Sequence, residues 1–312
     1  MVVGHATRTD SIPSDRRTSM SDVVRLRFLI SLGPALFLCL SLSAIGPSAA
    51  APAKPAPPAP PPDQPVTVEE EVLSITDKIT KPIDNDAEAM RHNDLGVAFV
   101  FKGDLAQAID EFTHALRLQA NYFAAHLNLA NTLLDIGRYD DALTEFKAAL
   151  RLKPDDLKAH NDYGVALKER GDLEGAIAEF RTVLRHRPDD VNAHNNLGVT
   201  LKAKGDTEGA IAEYRTALEL QPDDVNAHFN LALALIDKQD LEGAVGEFRT
   251  ALRVRPNDAK IRFNLGYTLA ALGRRTDAAQ ELRHYLRLER DTPANRPWLE
   301  QAESKLRELE MP

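Results

Sequence analysis

Hydrophobic and polar positions recur along most of this chain with a period of 34 residues. The stretch Val191–Asp224 shows the unit most completely: two segments, a Gly-Asp break between them and a Pro-Asp-Asp end. Apolar residues three and four positions apart within each segment predict an amphipathic helix. Self-similarity at such a period is typical of stacked helix pairs, because each pair buries its apolar face only against its neighbours. The pattern therefore predicts an all-α chain, an α-solenoid.

Six copies of this unit occupy residues 87–290. Counted from position 1 of each copy, they are 89–122, 123–156, 157–190, 191–224, 225–258 and 259–292. Position 8 is glycine or alanine, position 20 is alanine in all six, and position 24 carries a bulky side chain. Small residues let two helices approach closely and a bulky one fills the space that they leave. We therefore expect the two helices of a unit to pack through these positions.

The breaks between segments carry helix-ending residues. Position 15 is glycine in copies one to four and in copy six, and it is Gln239 in copy five. Glycine readily adopts the left-handed conformation that ends a helix. Aspartate follows at position 16 of four copies as a predicted N-cap. In copies two to five, proline at position 32 ends the second helix and aspartate at position 34 caps the next one.

These units resemble the tetratricopeptide repeat (TPR) family, whose 34-residue helix-turn-helix units stack. The resemblance implies a right-handed superhelix of six TPR repeats. Departures lie at the ends: Ala120 replaces the proline of the first copy, and Leu282, Tyr285 and Arg290 replace the phenylalanine, alanine and proline of the last. Residues 293–312 are predicted to form an amphipathic helix that caps the last repeat.

In TPR proteins, positions 2, 5, 6, 9, 12 and 13 of the first helices line a concave groove, and the resemblance implies such a groove here. Position 6 is asparagine in four copies and aspartate in two. The units are similar to the TPR region of O-linked N-acetylglucosamine transferase, which has an asparagine ladder there, although no catalytic domain is expected in this chain. An amide can bond an extended peptide backbone through its donors and acceptor. The alternative is that these amides are solvated or bond within their own helices. The predicted groove residues are Asn128, Asn131, Asn161, Lys168, Asn195, Asn196, Lys202, Phe229, Asn230, Leu233, Phe263, Asn264 and Tyr267.

The C-terminal part of this groove is apolar. With Ile236, its aromatic and aliphatic residues are expected to form an exposed strip, which suits a protein partner. The alternative is that the C-terminal helix folds back over the strip.

Other chemistries find little support in the sequence. No copy has the lysine at position 5 or the arginine at position 6 of the TPR carboxylate clamp, so cochaperone-type binding is not expected. Histidine stands at position 4 of five copies, but equivalent positions lie roughly 10 Å apart, whereas metal ligands lie about 2 Å from their ion. We interpret these histidines as packing residues. No nucleophile arrangement or phosphate loop is present, so neither enzymatic activity nor a cofactor or metal is expected.

The N-terminal residues read as a targeting segment. Arg25 and Arg27 precede the apolar run Phe28–Ile45, with Ser48 and Ala50 after it, which predicts a signal peptide over 1–50 that is cleaved after Ala50. An uncleaved membrane anchor is the alternative, and Met20 is an alternative start. Residues 51–65 read as a Pro/Ala linker and 66–86 as an irregular flank. The only cysteine, Cys39, lies in the apolar run.

Charge and targeting together limit the partners. The formal charge is −9, and an acidic chain without a basic face is not expected to bind nucleic acid or anionic lipid. Two functions remain. The first is a scaffold that is exported to the periplasm or cell envelope of a bacterium and holds a peptide or partner protein in its groove. The second is a self-associating structural component of an envelope assembly. The sequence does not fix the oligomeric state.

Overall fold

The computed structural model describes residues 84–311, which form thirteen α-helices and no strand. The all-α prediction is confirmed. The signal segment, the linker and most of the predicted flank lie outside the described residues. The helices are α1 (Asn85–Lys102), α2 (Leu105–Leu118), α3 (Phe123–Asp135), α4 (Tyr139–Leu152), α5 (Leu157–Arg170), α6 (Leu173–His186), α7 (Val191–Lys204), α8 (Thr207–Leu220), α9 (Val225–Asp237), α10 (Leu241–Val254), α11 (Ala259–Ala271), α12 (Arg275–Leu288) and α13 (Arg296–Glu310).

These residues belong to two compact units, divided between Leu129 and Ala130. Among residues 84–311, no helix has the length and apolar character that a membrane span requires.

In the first unit, α1 packs against α2. Ala89, Ala115 and Ala125 are completely buried. The helix α1 begins at Asn85, where Asp84 accepts hydrogen bonds from the backbone N–H groups of Asp86 and Ala87. The last residues of the predicted irregular flank are therefore helical.

In the second unit, helices pack in pairs, α5 with α6, α7 with α8, α9 with α10 and α11 with α12, and each pair packs against the next. The fit inside a pair is close at position 8. A Cβ added to Gly198 would lie 2.6 Å from Cε1 of Tyr214, and one added to Gly164 would lie 2.8 Å from Cε1 of Phe180. The predicted packing of small against bulky positions is therefore present, since at these two glycines the ring already occupies the space of a Cβ.

The helix ends follow the predicted chemistry. Asp190 and Asp206 accept hydrogen bonds from the N–H groups of Ala193 and Gly209, three residues later in each case. Gly205 ends α7 in the left-handed conformation, with φ of +96°. Gln239 is at the same position with φ of +66° and is the only residue other than glycine with positive φ among residues 84–311.

The C-terminal helix α13 packs against α12. Ala302 is completely buried, and Trp298, Leu299 and Leu309 contact the cluster around Phe263. This helix covers apolar side chains of the last repeat, as the amphipathic pattern predicted.

Candidate functional site

The asparagines at position 6 do not form a uniform free ladder. Nδ2 of Asn196 donates to Oδ1 of Asn161, 3.0 Å away, at position 5 of the preceding repeat. In the first unit, Nδ2 of Asn128 donates in the same way to Oδ1 of Asn93, at 2.9 Å. Both pairs are 35 residues apart. In these two pairs, one N–H of the amide at position 6 is therefore used to join two repeats.

The next pair in this register, Asn195 and Asn230, is arranged differently. Nδ2 of Asn195 donates to Oδ1 of Asp224 at 3.1 Å, and Oδ1 of Asn195 is buried without a hydrogen-bond partner among the described residues. Asn230 is half-buried, and its side chain forms no hydrogen bond with another described residue. Its amide keeps its full hydrogen-bonding capacity at a partly exposed position.

Asn264 ends the row and is used locally. Its side chain is 7% exposed, and Nδ2 donates to the backbone oxygen of Lys260 at 2.8 Å. The preceding position 5 is Phe229, which offers no acceptor. The alternative interpretation, a bond within the residue's own helix, is therefore correct for Asn264.

The other polar residues predicted for the groove are paired. Nδ2 of Asn131 donates to Oδ2 of Asp162 at 3.2 Å. Nζ of Lys202 lies 2.9 Å from Oδ2 of Asp237, and Nζ of Lys168 lies 2.6 Å from Oε1 of Glu169. These carboxylates neutralise the lysines, so the surface is polar without being basic.

The prediction of an exposed apolar strip is wrong for Phe229, Ile236 and Phe263. Phe229 is 9% exposed, Phe263 is 7% exposed and Ile236 is fully buried. The indole of Trp298 in α13 packs edge-on against the ring of Phe263, with 5.7 Å between centroids. The C-terminal helix folds over this part of the strip, because the last repeat has no further repeat to bury its apolar face. Leu233 remains half-exposed.

Two further contacts cover the same region. Oη of Tyr267 donates to the backbone oxygen of Gln301 at 3.1 Å, and Nζ of Lys260 lies 4.5 Å from the centroid of the Phe229 ring. Burial, together with the nearby charge of Glu308, raises the pKa of Tyr267 to about 12. This tyrosine is therefore a neutral anchor for α13.

The histidines at position 4 make the same two contacts in successive repeats. In His194, Nδ1 lies 2.6 Å from Oε2 of Glu213 and Nε2 lies 2.9 Å from the backbone oxygen of Pro188. His160 and His228 contact Glu179 and Glu247, and the backbone oxygens of Pro154 and Pro222, at equivalent distances. Each ring links the two helices of its repeat and the linker of the preceding repeat.

The glutamates that contact these histidines were not predicted from the sequence, although they recur in it. Position 23 is glutamate in all six copies, 19 residues after position 4. A carboxylate that recurs opposite a recurring histidine indicates a pair inside each repeat. Residues 84–311 contain no group of three or more histidine, cysteine, aspartate or glutamate side chains placed to hold a metal ion.

Comparison with known proteins identifies the repeat. The tetratricopeptide repeat model matches residues 93–156, 127–191 and 229–295, and a second TPR repeat model matches residues 200–238. A comparison with curated proteins gave no match.

Several solved structures share the fold. One is PilW, described as a widely conserved type IV pilus biogenesis factor (TM-score 0.61, 23% identity, 70% of this chain and 98% of that one). Another is PilF of Pseudomonas aeruginosa (TM-score 0.57, 19% identity, 70% and 99%). A third is the APC/C assembly Cut9-Hcn1 (TM-score 0.60, 16% identity, 78% and 46%). At these identities the likeness shows the fold alone. Because the family's models match more than half of its residues, the chain belongs to the tetratricopeptide repeat family.

Proposed function

We propose that this chain is a non-catalytic scaffold of the cell envelope that holds an extended peptide or a partner protein along the first helices of its repeats. TPR proteins are in general protein-interaction scaffolds, and the first helices here carry a row of polar side chains. The observation that carries the proposal is the unused amide of Asn230. A half-buried amide without an internal bond can donate to and accept from a peptide backbone of any sequence.

The location in the envelope rests on the sequence. The basic residues, apolar run and small residues of the first fifty positions support export. N-terminal sequencing of the mature protein tests it: a chain that begins at Ala51 supports cleavage and export. An intact N-terminus in a cytoplasmic fraction contradicts it.

A photocrosslinking amino acid at position 230 tests the groove. The matched control places the same group at Asp223, an exposed residue of the turn between α8 and α9, outside both the first and the second helices. We expect a discrete crosslinked partner from position 230 and none from position 223. Equal products from both positions would contradict recognition by the groove.

The partner identified in this way allows a quantitative test. The substitution Asn230→Ala removes up to two hydrogen bonds and should weaken binding roughly tenfold to a hundredfold. The thermal midpoint should change little, because this side chain has no bond to lose within residues 84–311. Unchanged affinity would exclude the amide as a recognition group.

One observation favours the second candidate, self-association through the N-terminal repeat. Position 7 is buried in later repeats, at 2% for Leu197 and 3% for Leu231, whereas Leu95 is 44% exposed. Phe101 on the same helix is 85% exposed. Light scattering of the wild type and of Leu95→Glu with Phe101→Glu tests it. An oligomer that the substitutions dissociate supports this role, and a monomeric wild type excludes it.

A further inference from the structure

The outer helices of the repeats present a row of exposed cations. Positions 25 and 29 lie one helical turn apart and therefore on one face. We name the cations at these positions in α4, α6, α8 and α10 that form no ion pair the basic ridge: Lys147, Arg151, Arg181, Arg185, Arg215 and Arg253. All six are exposed. These positions bring cations together on one face of the outer helices, although the chain as a whole is acidic.

The ridge cations at position 25 lack an ion pair for an identifiable reason. Nη2 of Arg249, also at position 25, lies 3.7 Å from Oδ2 of Asp277, at position 19 of the next repeat. The residues that correspond to Asp277 for Arg181 and Arg215 are Gly209 and Gly243. Among residues 84–311 the six cations form no ion pair with a carboxylate. Arg185 and Arg253 bond only to the hydroxyls of Thr182 and Thr250.

The glycines at position 19 have a structural reason of their own. A Cβ on Gly209 would lie 2.5 Å from Oδ2 of Asp206, the residue that caps α8, and one on Gly243 would lie 2.4 Å from Oδ2 of Asp240. Because the capping carboxylate lies so close, position 19 favours glycine. The arginine at position 25 of the preceding repeat therefore has no carboxylate at position 19 to pair with. Since the contact between Arg249 and Asp277 crosses from one outer helix to the next, a side chain at position 25 reaches the adjacent helix. Because position 19 is glycine in the third, fourth and fifth repeats, no carboxylate at that position pairs with Lys147, Arg181 or Arg215.

We propose that the basic ridge binds an acidic segment of a partner protein. Five of its six cations are arginines, whose planar guanidinium groups bind carboxylates through two parallel hydrogen bonds. The ridge lies on the second helices of the repeats and is independent of the groove, which is built from first helices. One chain could then hold two partners, or two segments of one partner, at the same time.

The charges beside the ridge favour a narrow polyanion. Glu219 replaces the arginine of position 29 in α8, and at position 18 Glu174 and Glu208 have side chains 72% and 70% exposed. A wide anionic surface, such as a nucleic acid duplex or a lipid bilayer, would bring its phosphates against these carboxylates. A single peptide segment can follow Lys147, Arg181 and Arg215 without meeting an acidic residue of the same row.

The test uses the full chain and a fluorescent poly-L-glutamate peptide, followed by anisotropy at low and at physiological salt. We expect binding that weakens with salt. It should fall at least about tenfold in Arg181→Glu with Arg215→Glu. The matched control is Arg290→Glu with Arg307→Glu, which makes the same charge change at two other exposed residues. Circular dichroism verifies that each variant is folded, and Arg181→Gln with Arg215→Gln, a milder change, should show a smaller loss.

Three outcomes would overturn the proposal. The first is a wild type that does not bind the peptide, and the second is an equal loss in the ridge variant and the control. The third is binding of duplex DNA or of phosphatidylglycerol vesicles that is as tight as peptide binding and equally sensitive to the ridge substitutions. Retained binding in the control with loss in the ridge variant supports it. None of these results depends on Asn230, so failure here is distinguishable from failure of the groove.

Discussion

Arg262 donates from Nη1 to Oε2 of Glu281 across 2.5 Å, at the two positions where the preceding repeats have a histidine and a glutamate. Its Nε also donates to the backbone oxygen of Pro256 at 3.0 Å, the acceptor that corresponds to Pro188 for His194. The histidine ring and the guanidinium thus contact the same two acceptors in this array.

This equivalence predicts the order of stability of variants at position 194. His194→Arg should retain most of the stability because a guanidinium can reach both acceptors. His194→Gln should lower the free energy of unfolding by roughly 1–2 kcal/mol, since one short amide cannot reach both acceptors. Urea unfolding measures both. Equal losses in the two variants would show that the ring acts through its shape alone.

Gln239 predicts a stabilising substitution. A side chain in the left-handed region costs about 1 kcal/mol, and glycine avoids most of that cost. Gln239→Gly should therefore raise the free energy of unfolding by roughly 0.5–1 kcal/mol after the greater freedom of the unfolded glycine is deducted. Gly205→Gln is the reciprocal control and should destabilise. A decrease in stability for Gln239→Gly would mean that the glutamine side chain stabilises this turn.

The buried hydroxyl group of Tyr214 predicts a second stabilising substitution. Its ring is fully buried, and its hydroxyl has no hydrogen-bond partner among residues 84–311, at a position where Phe112, Phe146, Phe180 and Phe248 stand in other repeats. Tyr214→Phe removes an unsatisfied polar group and should stabilise by about 1 kcal/mol. The reverse change, Phe180→Tyr, should destabilise by a similar amount. Thermal unfolding compares them, and a destabilised Tyr214→Phe would indicate that the hydroxyl is satisfied in solution.

Tyr267 predicts a dependence of stability on alkaline pH. Burial raises its pKa from 10.0 to about 12, so the folded state holds the phenolic proton more tightly than the unfolded state does. The resulting contribution is fully present below pH 10 and is lost as pH rises towards 12. Tyr267→Phe should show a shallower loss of stability across that range than the wild type and than Tyr139→Phe, which removes a tyrosine elsewhere. Parallel curves for all three proteins would contradict the linkage.

The 34-residue period and the residues at the helix ends made the helix-pair fold predictable from the sequence. Gly205 and Asp206 act through the backbone of their own helices, so their roles follow from local order alone. The fit of Gly198 against Tyr214 was predictable because both positions recur in register. Helix-pair architecture therefore followed from residues whose partners lie within one repeat.

The site was less predictable because its bonds depend on pairs of residues in different repeats. The side chain of Asn196 is used only because position 5 one repeat earlier is Asn161, whereas Asn264 faces the equivalent Phe229 and turns to its own helix. The covering of Phe263 by Trp298 requires a non-repeating helix to fold back, which the period does not describe. The basic ridge around Arg181 and Arg215 was not predicted from the sequence. The net charge of the chain sums these cations with acidic residues that cap helices on other surfaces.

The constant separations of these contacts make the length of the array adjustable in whole repeats. Removal of residues 191–224 would join Val225 directly to Asp190, and the ring of His228 would then meet the backbone oxygen of Pro188. In that shortened chain, Asn230 would follow Asn161 by 35 positions. This is the separation at which Asn196 donates to Oδ1 of Asn161 in the intact protein. The buried unpaired oxygen of Asn195 would leave with the excised repeat. Versions of this protein with five or seven repeats are thus compatible with the same set of bonds. The length of the surface available to a partner would then change without a new type of contact between repeats.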